Sequence, residues 1–115
     1  MKKIILLCLI MSSLFAHMSE GDWQKEAIYQ ALLVADWGQT RYIASSEDYY
    51  ETNPLLGKTP SIAKVNKYFV SASLLHLGIT YLLPDEYKGY WLKSTILIQA
   101  AYVTNNAYIG IGFKF

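Results

Sequence analysis

Apolar residues fall in four runs along the chain, each separated from the next by a polar or turn-rich stretch. The first is short, Ile4 to Ala16, behind Met1-Lys2-Lys3. The other three occupy 23–43, 60–83 and about 85–113, near the roughly 20 residues that cross a bilayer as a helix. Asp22 reads as the N-cap of the first long segment, with Ala27, Ile28, Ala31, Leu32, Val34 and Ala35 as its apolar surface. Asn53-Pro54, Gly57 and Lys58 break the chain. Thr59 then reads as an N-cap with Pro60 at the first helical position, where a missing N–H costs nothing. Pro84 ends that segment, and Asp85 and Glu86 open the third with negative charge, which suits the positive end of a helix dipole.

This pattern predicts an all-α fold: an N-terminal signal segment, then a three-helix membrane bundle. The expected boundaries are 1–16 for a signal peptide or uncleaved anchor and 17–115 for a single three-helix membrane domain. A competing expectation makes 96–115, with Thr104-Asn105-Asn106 at its middle, a β-hairpin of an outer-membrane structure. A barrel needs at least about 8 strands of roughly 9–11 residues. The chain barely reaches that length, and its first segments lack period-two alternation.

Composition sharpens the class. The chain is 53% hydrophobic and 17% charged, against about 45–50% and about 25% in ordinary soluble domains. A net charge of +1 gives no nucleic-acid footprint. Cys8, the single cysteine, lies inside the first apolar run, so a chain cut after Ala16 has no thiol and no disulfide. Lysine and arginine counts orient membrane proteins. Arg41, Lys58, Lys64 and Lys67 flank the first connection, Lys88 and Lys93 the second, and Lys25 the N-terminal approach. That asymmetry predicts a bacterial inner-membrane protein with its mature N-terminus periplasmic and the 41–67 connection cytoplasmic. Trp23, Tyr87, Tyr90 and Trp91 then mark one interface, and Tyr42, Tyr49, Tyr50, Tyr68 and Phe69 the other.

The polar residues inside these segments are the candidates for chemistry. Asp36, Gln39 and Thr40 are three and four positions apart and share one helix face. A carboxylate at a membrane helix centre costs about 2.5–3.5 kcal/mol on insertion scales, so Asp36 is expected to turn inward. Glu51 and Asn53 precede Pro54, and Gly57 permits a bend that folds the loop back towards Arg41 or the Asp36 face. His76 stands in the second segment with Ser73 and Thr80 on its stripe. These six residues, Asp36, Gln39, Thr40, Glu51, Asn53 and His76, are expected to converge on one polar cluster. Gln99, Asn105 and Asn106 add amides from the third segment. The spacing of Asp36, Glu51 and His76 matches no zinc motif, and no metal or cofactor is implied. There is no phosphate loop, nucleophile elbow or His-Glu-x-x-His, so no catalytic residue is assigned.

At Asp36-Trp37-Gly38-Gln39-Thr40 and Glu51-Thr52-Asn53-Pro54-Leu55-Leu56-Gly57 the chain resembles a loose group of small bacterial and phage-borne membrane proteins. That group pairs Asp-x-x-x-Thr on one helix with Glu-x-Asn-Pro before the next. The resemblance implies a helical membrane fold and carries no activity with it. The functional expectation is a small integral membrane protein that acts by binding, with lipid and a membrane-protein partner or a second copy as its surroundings. The alternatives are a membrane-embedded enzyme or ion-binding protein using Asp36, Glu51 and His76, and a periplasmic or outer-membrane structural protein.

Overall fold

The computed structural model describes residues 1–7 and 18–115. Most of the expected signal segment, Cys8 and the Ala16 cleavage point therefore lie outside the described residues. Residues 2–7 are helical. Three long helices follow: α1, Glu20–Ala44; α2, Ile62–Leu82; and α3, Asp85–Tyr108. The described residues contain no strand, so the segment expected as a possible β-hairpin is helical through Tyr108.

The caps differ from expectation by a few residues, for local reasons. Ser19 rather than Asp22 caps α1: its hydroxyl accepts from the Asp22 N–H, and the Asp22 carboxylate accepts from the Ser19 N–H. This reciprocal capping box satisfies two donors at once. At α2, Ser61 displaces Thr59, its hydroxyl accepting from the Lys64 N–H, and Pro60 is buried ahead of the helix. At the end of α3, Gly110 adopts φ 93°. Its N–H donates to the Ala107 carbonyl, and that of Ile111 to Asn106. That is a Schellman closure, which favours glycine at the left-handed position. It stops α3 short of the expected Phe113.

α1 is the central element and packs against both other helices, which touch one another little. Its inward stripe is Glu26, Tyr29, Leu33, Asp36, Thr40 and Ile43, at alternating spacings of three and four. The core joins Tyr29 and Leu33 to Val65 and Phe69 of α2 and to Leu56 from the connecting loop. After Gly110 the chain folds back on α1. The Lys114 N–H donates to the Gly38 carbonyl, and Arg41 Nε donates to the Lys114 carbonyl. The Phe115 ring lies so close to Gly38 that any Cβ there would overlap it, which accounts for a glycine inside a helix.

Burial runs against the usual pattern. Glu26, Gln39, Thr40, His76, Thr80, Lys88 and Gln99 are buried. Val70, Leu74, Leu75, Leu82, Leu97 and Ile98 are exposed. Yet no helix among the described residues is both long and apolar enough to cross a membrane. The expected three spanning segments are thus not evident from helix hydropathy. The physical reason is composition: Glu26, Asp36 and Arg41 on α1, Lys64, Asn66, Lys67 and His76 on α2, and Lys88 and Lys93 on α3 lower the average of each helix.

Candidate functional site

α1 and α2 run antiparallel, so each step forward on one meets a step back on the other. Asn66 accepts from Trp37 Nε1 at 2.9 Å, Ser73 donates to Gln30 at 2.6 Å, and His76 meets Glu26. This register decides which polar residues meet. It puts His76 two to three turns away from Asp36 along α1, and the interior divides into two sites.

The first surrounds His76. Its Nδ1 lies 2.8 Å from both carboxylate oxygens of Glu26, and its Nε2 lies 2.8 Å from the Thr95 hydroxyl. Tyr29 stacks on the imidazole with centroids 3.4 Å apart, and Trp91 stacks on it at 4.9 Å. Trp91 Nε1 also donates to the Thr80 hydroxyl at 2.8 Å, and that hydroxyl lies 3.3 Å from Glu26 and 2.8 Å from the His76 carbonyl. Buried polar groups are costly unless bonded, and here each side chain supplies its neighbour's partner. Trp91, expected at an interface, is instead turned into the bundle by this stack.

The second site is a cavity of about 260 Å³ between the helices and the 51–58 loop, with Asp36, Thr40, Glu51, Asn53, Gln99 and Asn106 on its wall. Asp36 accepts from the Thr40 hydroxyl at 3.3 Å through one oxygen, and from Gln99 Nε2 at 2.6 Å through the other. The loop reaches the cavity because its own turn is closed. Asn53 Oδ1 accepts from the Leu55 N–H, the Glu51 N–H donates to the Lys58 carbonyl, and Gly57 takes φ 80°. Leu56 then inserts into the core and seats the loop on the bundle. Glu51 Oε1 accepts from the Thr52 and Asn53 N–H groups at 3.1 and 3.0 Å. Glu51 Oε2 is buried and has no hydrogen-bond partner among the described residues. Tyr29, Tyr68, Phe69 and Tyr102 form the aromatic part of the wall.

Of the six expected residues, Asp36, Thr40, Glu51 and Asn53 share this cavity. Gln39 lies alongside, donating to the Val103 carbonyl at 3.0 Å and accepting from Asn106 Nδ2 at 3.1 Å. His76 belongs to the other site. Between the two stands Tyr29, stacked on His76 and lining the cavity. The loop meets the Asp36 face and not Arg41, whose guanidinium donates instead to Asn66 at 2.7 Å and to the Lys114 carbonyl. Sequence reasoning missed Glu26, which lies ten residues before Asp36 and reaches the interior through the register of α1 on α2. It also missed Thr95, whose role depends on α3 packing alone. Tyr68 and Phe69, read as interface residues, line the cavity and the core. Among the described residues no group of three His, Cys, Asp or Glu side chains is arranged to hold a metal. The chain matches no family model, and comparison with the curated proteins and the solved structures found no match.

Proposed function

We propose that this chain is a small membrane-embedded helical bundle that acts by binding, with the Asp36–Glu51 cavity as its site. The observation that carries the reading is the inverted distribution of polarity. Among the described residues, seven buried polar or charged side chains stand beside eight buried hydrophobic ones, while large apolar residues cover the outer faces of α2 and α3. Apolar surface of that extent marks an interaction or membrane face, and intramembrane ionisable groups face a bundle interior and pair there. Helices of 25, 21 and 24 residues reach about 31–38 Å at 1.5 Å per residue, enough for a hydrocarbon core of about 30 Å. Mean hydropathy counts Glu26, Asp36 and Gln39 against α1 although none of them would meet lipid in this packing.

On this reading the chain joins the small bacterial and phage-borne membrane proteins it resembles, in the inner membrane, with the start of α1 and the Pro84 turn periplasmic. The test is fractionation after expression. The protein is expected to sediment with inner membranes, resist alkaline extraction and require detergent. Recovery in an aqueous fraction without detergent would remove the reading.

A further inference from the structure

We infer that the Asp36–Glu51 cavity binds an alkylammonium group, the protonated head of a small amine or of an amino-headgroup lipid. This deepens the binding function proposed above and rests on it. Two carboxylates face the same cavity, and no lysine, arginine or histidine is among the described residues lining it. Buried carboxylates are paired or coordinate a cation, because the cost of desolvating an unpaired charge is several kcal/mol. Arg41, the nearest cation in sequence to Asp36, is committed to Asn66 and the C-terminal tail.

The remaining acceptors match one donor type. Glu51 Oε2 is buried with no hydrogen-bond partner among the described residues, and each Asp36 oxygen accepts one side-chain hydrogen bond, which leaves a carboxylate oxygen further lone-pair capacity. An ammonium carries three N–H donors and no acceptor, which suits a site that presents two carboxylates. The wall supplies the second half of the recognition. Tyr29, Tyr68, Phe69 and Tyr102 line the same space, and aromatic faces attract a desolvated organic cation through the ring quadrupole. Leu33 and Ala72 give an alkyl stem an apolar surface.

Other ligand classes fit less well. A hard divalent ion takes six or more oxygens and favours several carboxylates, and among the described residues no group of three His, Cys, Asp or Glu side chains is arranged to hold one. An anion would meet two carboxylates and no cation, and an apolar ligand would leave both charges unpaired. The volume, about 260 Å³, exceeds the roughly 10–15 Å³ that one water needs and lies just below the range of about 300–1,000 Å³ typical of ligand pockets. A small amine is therefore the appropriate size.

Calorimetric titration of the purified full chain in detergent tests the inference, with ethanolamine and putrescine as probes and potassium and calcium chlorides as comparators. Saturable amine binding is expected, weakened at least tenfold by Asp36→Asn and by Glu51→Gln and several-fold by Tyr68→Leu. Thr95→Val, at the other site, should bind as wild type. Circular dichroism on each sample verifies that the near-isosteric variants keep their helix content. Repeating the titration in lipid nanodiscs separates the sources: suppression of ethanolamine binding by phosphatidylethanolamine and not by phosphatidylglycerol identifies the lipid headgroup, and equal binding in both identifies the free amine. Absence of saturable binding, equal affinity for potassium or calcium, or wild-type affinity in the Asp36→Asn/Glu51→Gln double variant would overturn the inference. A protein that needs detergent yet binds no amine loses this inference alone. One that is recovered without detergent loses the membrane reading whether or not it binds.

Discussion

His76 keeps both ring nitrogens bonded inside the bundle, to Glu26 on α1 and Thr95 on α3, so each partner has a different energetic weight. Truncating the partner of a buried carboxylate leaves that carboxylate desolvated and less well bonded, at a cost of about 3–5 kcal/mol. His76→Ala is expected to cost that much, since it removes the 2.8 Å contact to Glu26, leaving only the 3.3 Å bonds from Thr80 and Gln30, and also removes two ring stacks. Thr95→Val removes one neutral interhelical hydrogen bond, worth about 0.6 and at most about 1.7 kcal/mol in membrane bundles. Thermal unfolding in detergent, followed by circular dichroism, measures both. Equal losses would mean that the Glu26–His76 contact contributes no more than an ordinary hydroxyl bond.

Element boundaries in this chain are decided by which hydroxyl reaches a free N–H. Ser61 caps α2 through the Lys64 N–H, whereas Thr59 stands outside the helix. Ser61→Ala should therefore destabilise the fold by about 0.5–2 kcal/mol, and Thr59→Ala should leave the melting midpoint nearly unchanged. The reverse order would restore Thr59-Pro60 as the true start. The 51–58 loop is held by one apolar anchor, Leu56, which is 2% exposed. Leu56→Ala is expected to cost about 2–5 kcal/mol and also to weaken amine binding, because it releases Glu51 from the cavity. Stability lost without any change in binding would show that the loop is seated by its own turn. Lys88 illustrates the same point from the other side. Although it is counted among the charges that orient the chain, it is buried, donating to the Tyr81 and Leu83 carbonyls at the end of α2, where a cation complements the helix dipole.

For the molecule as a whole, the two ends of the bundle differ in charge, and that asymmetry predicts orientation. In a Cys8→Ser background, a cysteine at the exposed Glu86 beside the Pro84 turn should react with an impermeant thiol reagent in intact cells. One at the exposed Glu47 in the first connection should react only after lysis. The C-terminal tail shares the Glu47 end, since Tyr49 donates to the Ile109 carbonyl and Lys114 to Ser45. The opposite labelling pattern would invert the topology, and labelling of both sites in intact cells would argue against a spanning bundle.

Local chemistry in the sequence was enough to place three helices, their order, the Pro84 turn and a polar face at Asp36, Gln39 and Thr40, because capping, proline and helical spacing act within a few residues. The turn of the 51–58 loop was legible for the same reason, since Asn53, Pro54 and Gly57 shape it locally, but the choice of the Asp36 face over Arg41 was made by Leu56 seating the loop in the core. What pairs with what across helices was not legible. The antiparallel register of α1 and α2 sets His76 against Glu26 rather than Asp36, and a register is a property of two packed surfaces that neither helix carries alone. The exposure of apolar faces was likewise decided by packing: Glu26, Gln39, His76 and Gln99, which lower helix hydropathy, are turned inward, where each finds a partner on another helix.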